Sequence, residues 1–200
     1  MASKSNSASG SKDVERLLNS AFETSDMQNI CRAVDAAVLQ SGGVIEIART
    51  AKIDRVTLYR AFRLERGPTL DNMIKVLRVL GFHLIVELRC ELASGHEELP
   101  KVGRSGGRKR AAASARRFTA AFKSGEMNQL AEVFKQTLRE QENVAEFAGK
   151  TIRTREALYR VFTQNPMPRF RTLLSFLNAL ELRFAVRRLP RSETLTKTLE

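Results

Sequence analysis

Two arginines in this chain of 200 residues have counterparts 100 positions further on. Arg55 is matched in this way by Arg155, and Arg60 by Arg160. A guanidinium group presents paired N–H donors that match guanine O6 and N7 in the DNA major groove, and each good contact contributes about 1–3 kcal/mol of discrimination. An arginine on an exposed helix face is often merely solvated. Recurrence at one spacing favours a shared binding role instead.

These arginines belong to a longer internal repeat. Residues 21–89 align with residues 121–189 without a gap, and fifteen aligned positions are identical. Average residue usage gives roughly four identities over such a length. Four of the fifteen lie within positions 58–62 and their counterparts. The chain is therefore predicted to contain two copies of one module.

Hydrophobic periodicity predicts the helices of the module. In the first copy a lead-in helix is followed by a helix that opens with a capping-box spacing at Ser25 and Gln28. Two short helices come next, the second from Asp54 to about Arg63. A last helix, capped by Thr69, completes the bundle.

A strand is predicted at the end of each copy. Apolar residues alternate along residues 82–89, and the pattern repeats at 182–189. A lone strand leaves backbone amides and carbonyls without partners, so the two strands are expected to pair with each other. The predicted fold is mainly α, with two tandem helical bundles that each end in a short β-strand.

The two short helices are separated by a tight turn, which is the helix-turn-helix signature. Asp54 is predicted to cap the second of them, and Thr154 holds this position in the second copy. If that helix enters a major groove, the residues at its N-terminus and one turn later face the bases. The predicted contact residues are Arg55, Val56, Thr57 and Arg60 in the first copy and Arg155, Glu156 and Arg160 in the second.

The copies differ inside this region, which predicts an asymmetric target. Val56 is replaced by Glu156, and Thr57 by Ala157. Two modules in one chain would act as an internal pseudo-dimer on double-stranded DNA, with half-site centres about 10 base pairs apart. The half-sites would be related but not identical, so an imperfect palindrome is expected.

Residues 45–86 resemble the addiction-module antidote proteins of bacterial toxin–antitoxin pairs, within the lambda-repressor-like helix-turn-helix group. The resemblance lies in four stretches: Ile47-Ala48, residues 54–62 (DRVTLYRAF), Pro68-Thr69 and residues 75–82 (KVLRVLGF). It implies a DNA-binding helical bundle of lambda-repressor type and a protein toxin as a possible partner. The second copy departs from the pattern, because Arg153 replaces Ile53 and Glu181 replaces Gly81.

Charge and composition agree with a polyanionic partner. The chain has 34 Lys and Arg against 22 Asp and Glu, a formal net charge of +12. The Ser-rich residues 1–11 are predicted to be a disordered leader, and residues 93–117 a basic linker in which Arg108, Lys109 and Arg110 contact phosphates. These segments set the predicted boundaries: a first module over 12–92, a second over 118–190, and a tail over 191–200.

Catalysis and metal binding find no support in the sequence. Cys31 and Cys90 lack partners at metal-ligand spacing, and His83 and His96 have no neighbours that complete a site. No nucleophile–base pairing, phosphate loop or paired carboxylates stand out. No apolar run approaches about 18 residues. We therefore expect no enzyme activity, no cofactor, no metal and no membrane, and a cytoplasmic, nucleoid-associated protein.

Two functions are compatible with these patterns. The first is a sequence-specific transcriptional regulator that uses both modules on a bipartite operator. The alternative is a protein-binding antitoxin or antiactivator that sequesters a protein partner, with DNA binding secondary or lost. Selection of retained genomic DNA fragments would distinguish them.

Overall fold

The structure is a computed structural model, and it describes residues 6–63, 67–89, 104–140 and 168–190. Within these ranges the chain forms eight helices and two strands. In chain order they are α1 (Asn6–Glu23), α2 (Met27–Gln40), α3 (Gly43–Thr50), α4 (Arg55–Arg63), α5 (Leu70–Val79), β1 (Phe82–Leu88), α6 (Arg104–Ser124), α7 (Met127–Arg139), α8 (Phe170–Ala179) and β2 (Leu182–Arg188). The predicted mainly helical fold with two short strands is confirmed.

The residue that caps the start of α2 is not the predicted one. Asp26 has an extended backbone, and its Oδ1 accepts a hydrogen bond from the Asn29 amide at 2.8 Å. This bond satisfies one of the free amides of the first turn. Ser25 has a φ of 52° in the turn before the helix. The prediction of a capping box at Ser25 was therefore wrong, and the neighbouring carboxylate has that role.

Two segments predicted to be irregular contain helix. α1 begins at Asn6, inside residues 1–11, and α6 begins at Arg104, inside residues 93–117. Alanine is the strongest helix former, and α6 carries alanines at 111–113 and 115. This propensity outweighs the helix-disfavouring effect of Gly106 and Gly107. The expectation of irregular structure was wrong for the described parts of both segments.

β1 and β2 are neighbours in a two-stranded antiparallel sheet. The Arg89 amide donates to the Glu181 carbonyl at 2.8 Å, and the Leu189 amide donates to the Gly81 carbonyl at 2.9 Å. Each strand is preceded by a residue with positive φ, 86° at Gly81 and 57° at Glu181. Glycine adopts this conformation freely, whereas it is uncommon for glutamate. The second helix–strand connection thus keeps the backbone of the first without its glycine.

The described residues divide into two compact units, and each contains residues from early and late in the chain. Unit one comprises residues up to 84 together with 168–174 and 184–190, and unit two comprises 85–89, 104–140 and 175–183. The boundaries predicted from the sequence were consecutive instead. They differ because late residues complete the core of the unit that the N-terminal helices begin.

Unit one is built around three buried phenylalanines from three different elements. Phe170 of α8 stacks on Phe184 of β2 with ring centroids 4.8 Å apart. Phe22 of α1 meets these rings edge-on at 6.2 and 6.5 Å. Aromatic pairs at such distances add about 0.5–1.5 kcal/mol to the benefit of burial. The cluster therefore joins α1 to segments that lie about 150 positions later in the sequence.

Helices α5 and α8 of unit one begin side by side. The Leu70 amide donates to the Pro168 carbonyl, and the Phe170 amide donates to the Pro68 carbonyl, both at 3.0 Å. Thr69 Oγ1 accepts from the Asn72 amide at 3.3 Å, which confirms the predicted cap of α5. The first amide of each helix is thus satisfied by the other segment.

Unit two has its own phenylalanine cluster. Phe134 of α7 lies 4.7 Å from Phe118 of α6 and 5.2 Å from Phe176 of α8, measured between ring centroids. All three side chains are almost fully buried. The cluster packs α6 and α7 against the part of α8 that belongs to unit two.

Polar side chains of α1 and α6 bind the backbone of the strands. Asn19 Oδ1 accepts from the Val186 amide at 2.8 Å, and Asn19 Nδ2 donates to the Val186 carbonyl at 3.1 Å. In unit two, Thr119 Oγ1 accepts from the Val86 amide at 3.0 Å and donates to the Val86 carbonyl at 3.2 Å. A two-stranded sheet leaves such groups unpaired on its outer edges. Asn19 therefore satisfies the backbone of one β2 residue within unit one, and Thr119 satisfies that of one β1 residue within unit two.

An ion pair in unit two makes its stability dependent on pH. Arg117 donates to both carboxylate oxygens of Glu140, one of them at 2.6 Å. The hydrogen bonds from Arg117 lower the pKa of Glu140. A carboxyl group whose pKa is lowered by folding stabilises the protein above its unfolded pKa of about 4.3, and that stabilisation is lost as the pH falls through the folded pKa.

We predict that Glu140→Gln lowers the free energy of unfolding by about 0.5–1 kcal/mol at pH 7, because the pair is partly exposed and screened. The difference from the wild type should shrink as the pH falls below about 4. Urea unfolding at pH 7 and at pH 3 measures both values. Glu15→Gln, which removes a carboxylate without a salt bridge to any described residue, is the control. A difference that does not depend on pH would contradict the prediction.

Candidate nucleic-acid interface

The turn between α3 and α4 is held by backbone hydrogen bonds. The Ile53 amide donates to the Ala48 carbonyl at 3.0 Å, and the Lys52 amide donates to the Arg49 carbonyl at 3.2 Å. Lys52 has a φ of 53°. This pattern is the Schellman motif, which ends a helix through a left-handed residue. The two short helices are therefore joined by a turn with a fixed geometry.

Asp54 begins α4 as predicted. Its Oδ2 accepts from the Thr57 amide at 2.9 Å. This bond is the main reason that the pKa of Asp54 is lowered, and the Thr57 hydroxyl and Arg60 lower it further. The Thr57 amide and hydroxyl thus both interact with the cap, and the contact of Thr57 with DNA stays a prediction.

One face of α4 is buried and the other is open. Leu58, Ala61 and Phe62 are buried and attach the helix to unit one. The predicted contact residues of the first copy all lie on the exposed surface, namely Arg55, Val56, Thr57 and Arg60. Val56 keeps 53% of its surface exposed. The structure therefore brings the predicted residues of this copy to one surface.

The counterparts in the second copy are not described. Arg155, Glu156 and Arg160 lie outside the described residues, as does the predicted cap Thr154. Their role stays a prediction.

Charges near α4 divide into paired and unpaired arginines. Arg49 of α3 donates to both carboxylate oxygens of Glu46, at 2.8 and 3.0 Å. Arg55 and Arg60 make no salt bridge with any residue in the described ranges. Their charges therefore remain available to an anion, whereas Arg49 has a neighbouring carboxylate as its partner.

Sequence reasoning missed a contact network at the end of α4. Arg63 Nε donates to both carboxylate oxygens of Asp35 in α2, at 3.1 and 3.2 Å. The Arg63 guanidinium also lies 4.9 Å from the centroid of the Tyr59 ring. Tyr59 keeps 48% of its surface exposed. The spacing of four residues between Tyr59 and Arg63 was the available signal, since such residues are neighbours on a helix.

The predicted phosphate contacts of the second basic region lie on a helix. Arg108, Lys109 and Arg110 are exposed residues of α6 in unit two. They were predicted on a basic linker, whereas the structure places them on a helix; their contact with phosphates stays a prediction.

Titratable groups that could serve other chemistry are few in the described residues. Burial raises the pKa of the Cys31 thiol to about 11, which keeps it protonated and unreactive at neutral pH. No group of three or more His, Cys, Asp or Glu residues within the described ranges could hold a metal ion. Cys90 and His96 lie outside those ranges. None of the helices described is both long and apolar enough to cross a membrane.

The fold is that of a mainly α protein with an exposed, arginine-bearing helix after a tight turn. Among known families, a family model described as a probable addiction module antidote protein matches residues 4–88. That span includes α1 to α5 and β1, so this part of the chain is similar to those antidote proteins. The match supports the resemblance to antidote proteins noted in residues 45–86. No curated protein and no solved structure matched the chain.

Proposed function

We propose that the chain is a sequence-specific DNA-binding regulator and that α3 and α4 form a helix-turn-helix, with α4 as the recognition helix. The observation that carries the proposal is the position of Arg55 and Arg60. Both are exposed on one short helix, next to the turn, and neither is neutralised by a described carboxylate in a salt bridge. A helix-turn-helix protein reads bases with the N-terminal part of its second helix.

The mechanism would combine polar and apolar contacts. Arg55 and Arg60 would donate to guanine O6 and N7, and Val56 would contact a thymine methyl group. The Schellman turn and the Asp54 cap fix the angle and the start of α4, so little ordering would remain to be done on binding. The function proposed is binding without catalysis.

The internal repeat supports a bipartite target. The bounds of α8 and β2 are those of α5 and β1 shifted by 100 residues, as are the fifteen identical positions. We propose that the second copy contributes Arg155, Glu156 and Arg160 to a second half-site. Glu156 accepts rather than donates hydrogen bonds and favours cytosine N4, so the operator would be an imperfect palindrome.

Selection from genomic DNA tests this function. Fragments retained by the purified protein at about 150 mM salt are sequenced, and an enriched motif with two related halves is expected. Arg60→Ala should weaken binding to that motif roughly 5- to 150-fold, the equivalent of about 1–3 kcal/mol, and weaken binding to random DNA less. Equal losses on both DNAs would reduce Arg60 to a phosphate contact.

Arg32→Ala is the matched control for this measurement. Arg32 is an exposed arginine of α2 in the same unit. Its replacement removes one positive charge without touching α4. The control should change the affinity for the motif less than twofold, by the general effect of net charge.

A second candidate function follows from the family match. The similarity of residues 4–88 to probable antidote proteins favours a chain that binds and neutralises a protein toxin. The absence of any enriched DNA motif, together with one protein recovered in a stoichiometric complex, would favour this candidate. Retention of that complex by the Arg55→Ala/Arg60→Ala variant would place the protein-binding surface away from α4.

A further inference from the structure

Helix α6 presents a positive surface that the proposed recognition helix does not use. Its 21 residues include seven Lys and Arg and no Asp or Glu. Lys109, Arg116 and Lys123 are all exposed. They recur every seven residues, so they lie nearly in one line along the helix, about 10.5 Å apart. We call these three residues the α6 stripe.

The side chains between these cations on the same face are small. Ala113 and Ala120 are the exposed residues that alternate with the stripe along the same face. Neither side chain extends beyond the helix backbone far enough to keep a ligand away from the cations. Arg108, also exposed, adds a positive charge beside Lys109.

The stripe is held on an ordered helix whose other face is fixed to unit two. Phe118 is fully buried in the phenylalanine cluster, and Thr119 binds the backbone of Val86. Arg117 is occupied by Glu140. By contrast, Lys109, Arg116 and Lys123 form no salt bridge with any part of the chain that the structure describes. The helix backbone that carries the three cations is thus already ordered before a ligand binds, so its ordering does not weaken binding.

We infer that the α6 stripe is a second nucleic-acid surface, which binds the phosphate backbone of a DNA duplex regardless of base sequence. A line of separate cations about 21 Å long suits a polyanion whose charges repeat along its length. Helices that lie on a membrane carry bulky apolar residues on the face opposite their cations and insert them into the lipid. In α6 that face is occupied, because Phe118 and Phe122 are buried in the protein.

Phosphate binding by the α6 stripe does not require α4 to recognise any base sequence. α4 belongs to unit one and α6 to unit two. Base contacts change with sequence, whereas phosphate contacts act on all duplexes and are strongly weakened by salt. Experiments with random and selected DNA can therefore test binding by α4 and binding by the α6 stripe separately.

The test compares two triple variants of the full chain that lose the same charge. Lys109→Gln/Arg116→Gln/Lys123→Gln removes the stripe. Lys12→Gln/Arg16→Gln/Arg32→Gln removes three exposed cations from α1 and α2 of unit one. Binding of each to a random 30-base-pair duplex is measured by fluorescence anisotropy between about 50 and 300 mM salt, after circular dichroism has verified equal helix content.

The stripe variant should bind the random duplex at least tenfold more weakly at about 100 mM salt. The slope of log affinity against log salt should fall by roughly 2–3, since each phosphate contact contributes about 0.9. The control should change the slope by less than 1. Equal losses in the two variants, or no binding of the wild type to the duplex, would overturn the inference.

Two further measurements distinguish DNA binding by the α6 stripe from membrane binding and from non-specific DNA binding by α4. Vesicles that contain phosphatidylserine should bind the wild type more weakly than the duplex does, and a preference for vesicles would overturn the nucleic-acid assignment. If the phosphate contacts lie on α6, Arg55→Ala/Arg60→Ala should remove the preference for a selected motif. The slope of log affinity against log salt for the random duplex should then stay within about 1 of the wild-type slope. A full loss of the slope in that variant would assign non-specific binding to α4 instead.

Discussion

Replacing Phe170 by alanine is expected to lower the free energy of unfolding by about 3–5 kcal/mol, the usual cost of removing a buried phenylalanine. Phe170 is fully buried and stacks on Phe184 at 4.8 Å. Its loss leaves a cavity beside Phe22, whose ring lies 6.2 Å away. The loss should therefore destabilise the packing of α1, although α1 is far from residue 170 in the sequence.

Urea unfolding followed by circular dichroism measures this effect. Domains of this kind have total stabilities of about 5–15 kcal/mol, so the alanine variant risks being unfolded. Phe170→Leu provides a graded measurement and should cost about 1 kcal/mol, because it conserves most of the volume. Leu39→Ala, at a side chain that is 56% exposed, should change the stability by less than about 0.5 kcal/mol. A Phe170→Ala variant as stable as that control would show that the cluster does not form.

Asn19→Ala is expected to have the next largest effect, a loss of about 2–3 kcal/mol. The side chain satisfies both the amide and the carbonyl of Val186, at 2.8 and 3.1 Å. Alanine leaves both backbone groups without that partner in a half-buried location, and each such group costs about 1–3 kcal/mol when water does not replace it. Asn19→Asp should restore the bond to the amide and lose the one to the carbonyl.

Hydrogen exchange of the Val186 amide tests this role directly. Protection of that amide should fall in Asn19→Ala by more than the global stability predicts, and Asn19→Asp should recover part of it. Ser20→Ala, an exposed neighbour on α1, is the control and should leave the protection unchanged. If Val186 keeps its full protection in Asn19→Ala, the edge of β2 is not closed by α1.

Local signals explain which parts of the fold could be predicted. Asp54 and Thr69 were assigned correctly because an N-cap is chosen by interactions within a few residues. The same rules failed at Ser25, since Asp26 beside it offers a stronger acceptor. The N-terminal part of α6 was missed because a segment rich in small and basic residues was taken as a linker, although its alanines favour helix.

Contacts between distant segments explain what the sequence did not reveal. No periodicity singles out Asn19 or Thr119, because a polar residue on a helix is ordinarily solvated and its binding to a strand depends on the tertiary fold. The ion pair between Asp35 and Arg63 is of the same kind, since it joins α2 to α4. By contrast, exposure of Arg55 and Arg60 could be predicted, because the buried positions of α4 follow helical spacing.

The path of the chain through unit one has a consequence for how the protein is made. Asn19 and Val186, which bind each other, are 167 positions apart. The N-terminal helices emerge from the ribosome long before the residues that cover Phe22 have been synthesised, and apolar surface held open during synthesis invites aggregation. Unit one can close only near the end of translation, so an early stop codon removes both units instead of sparing the first.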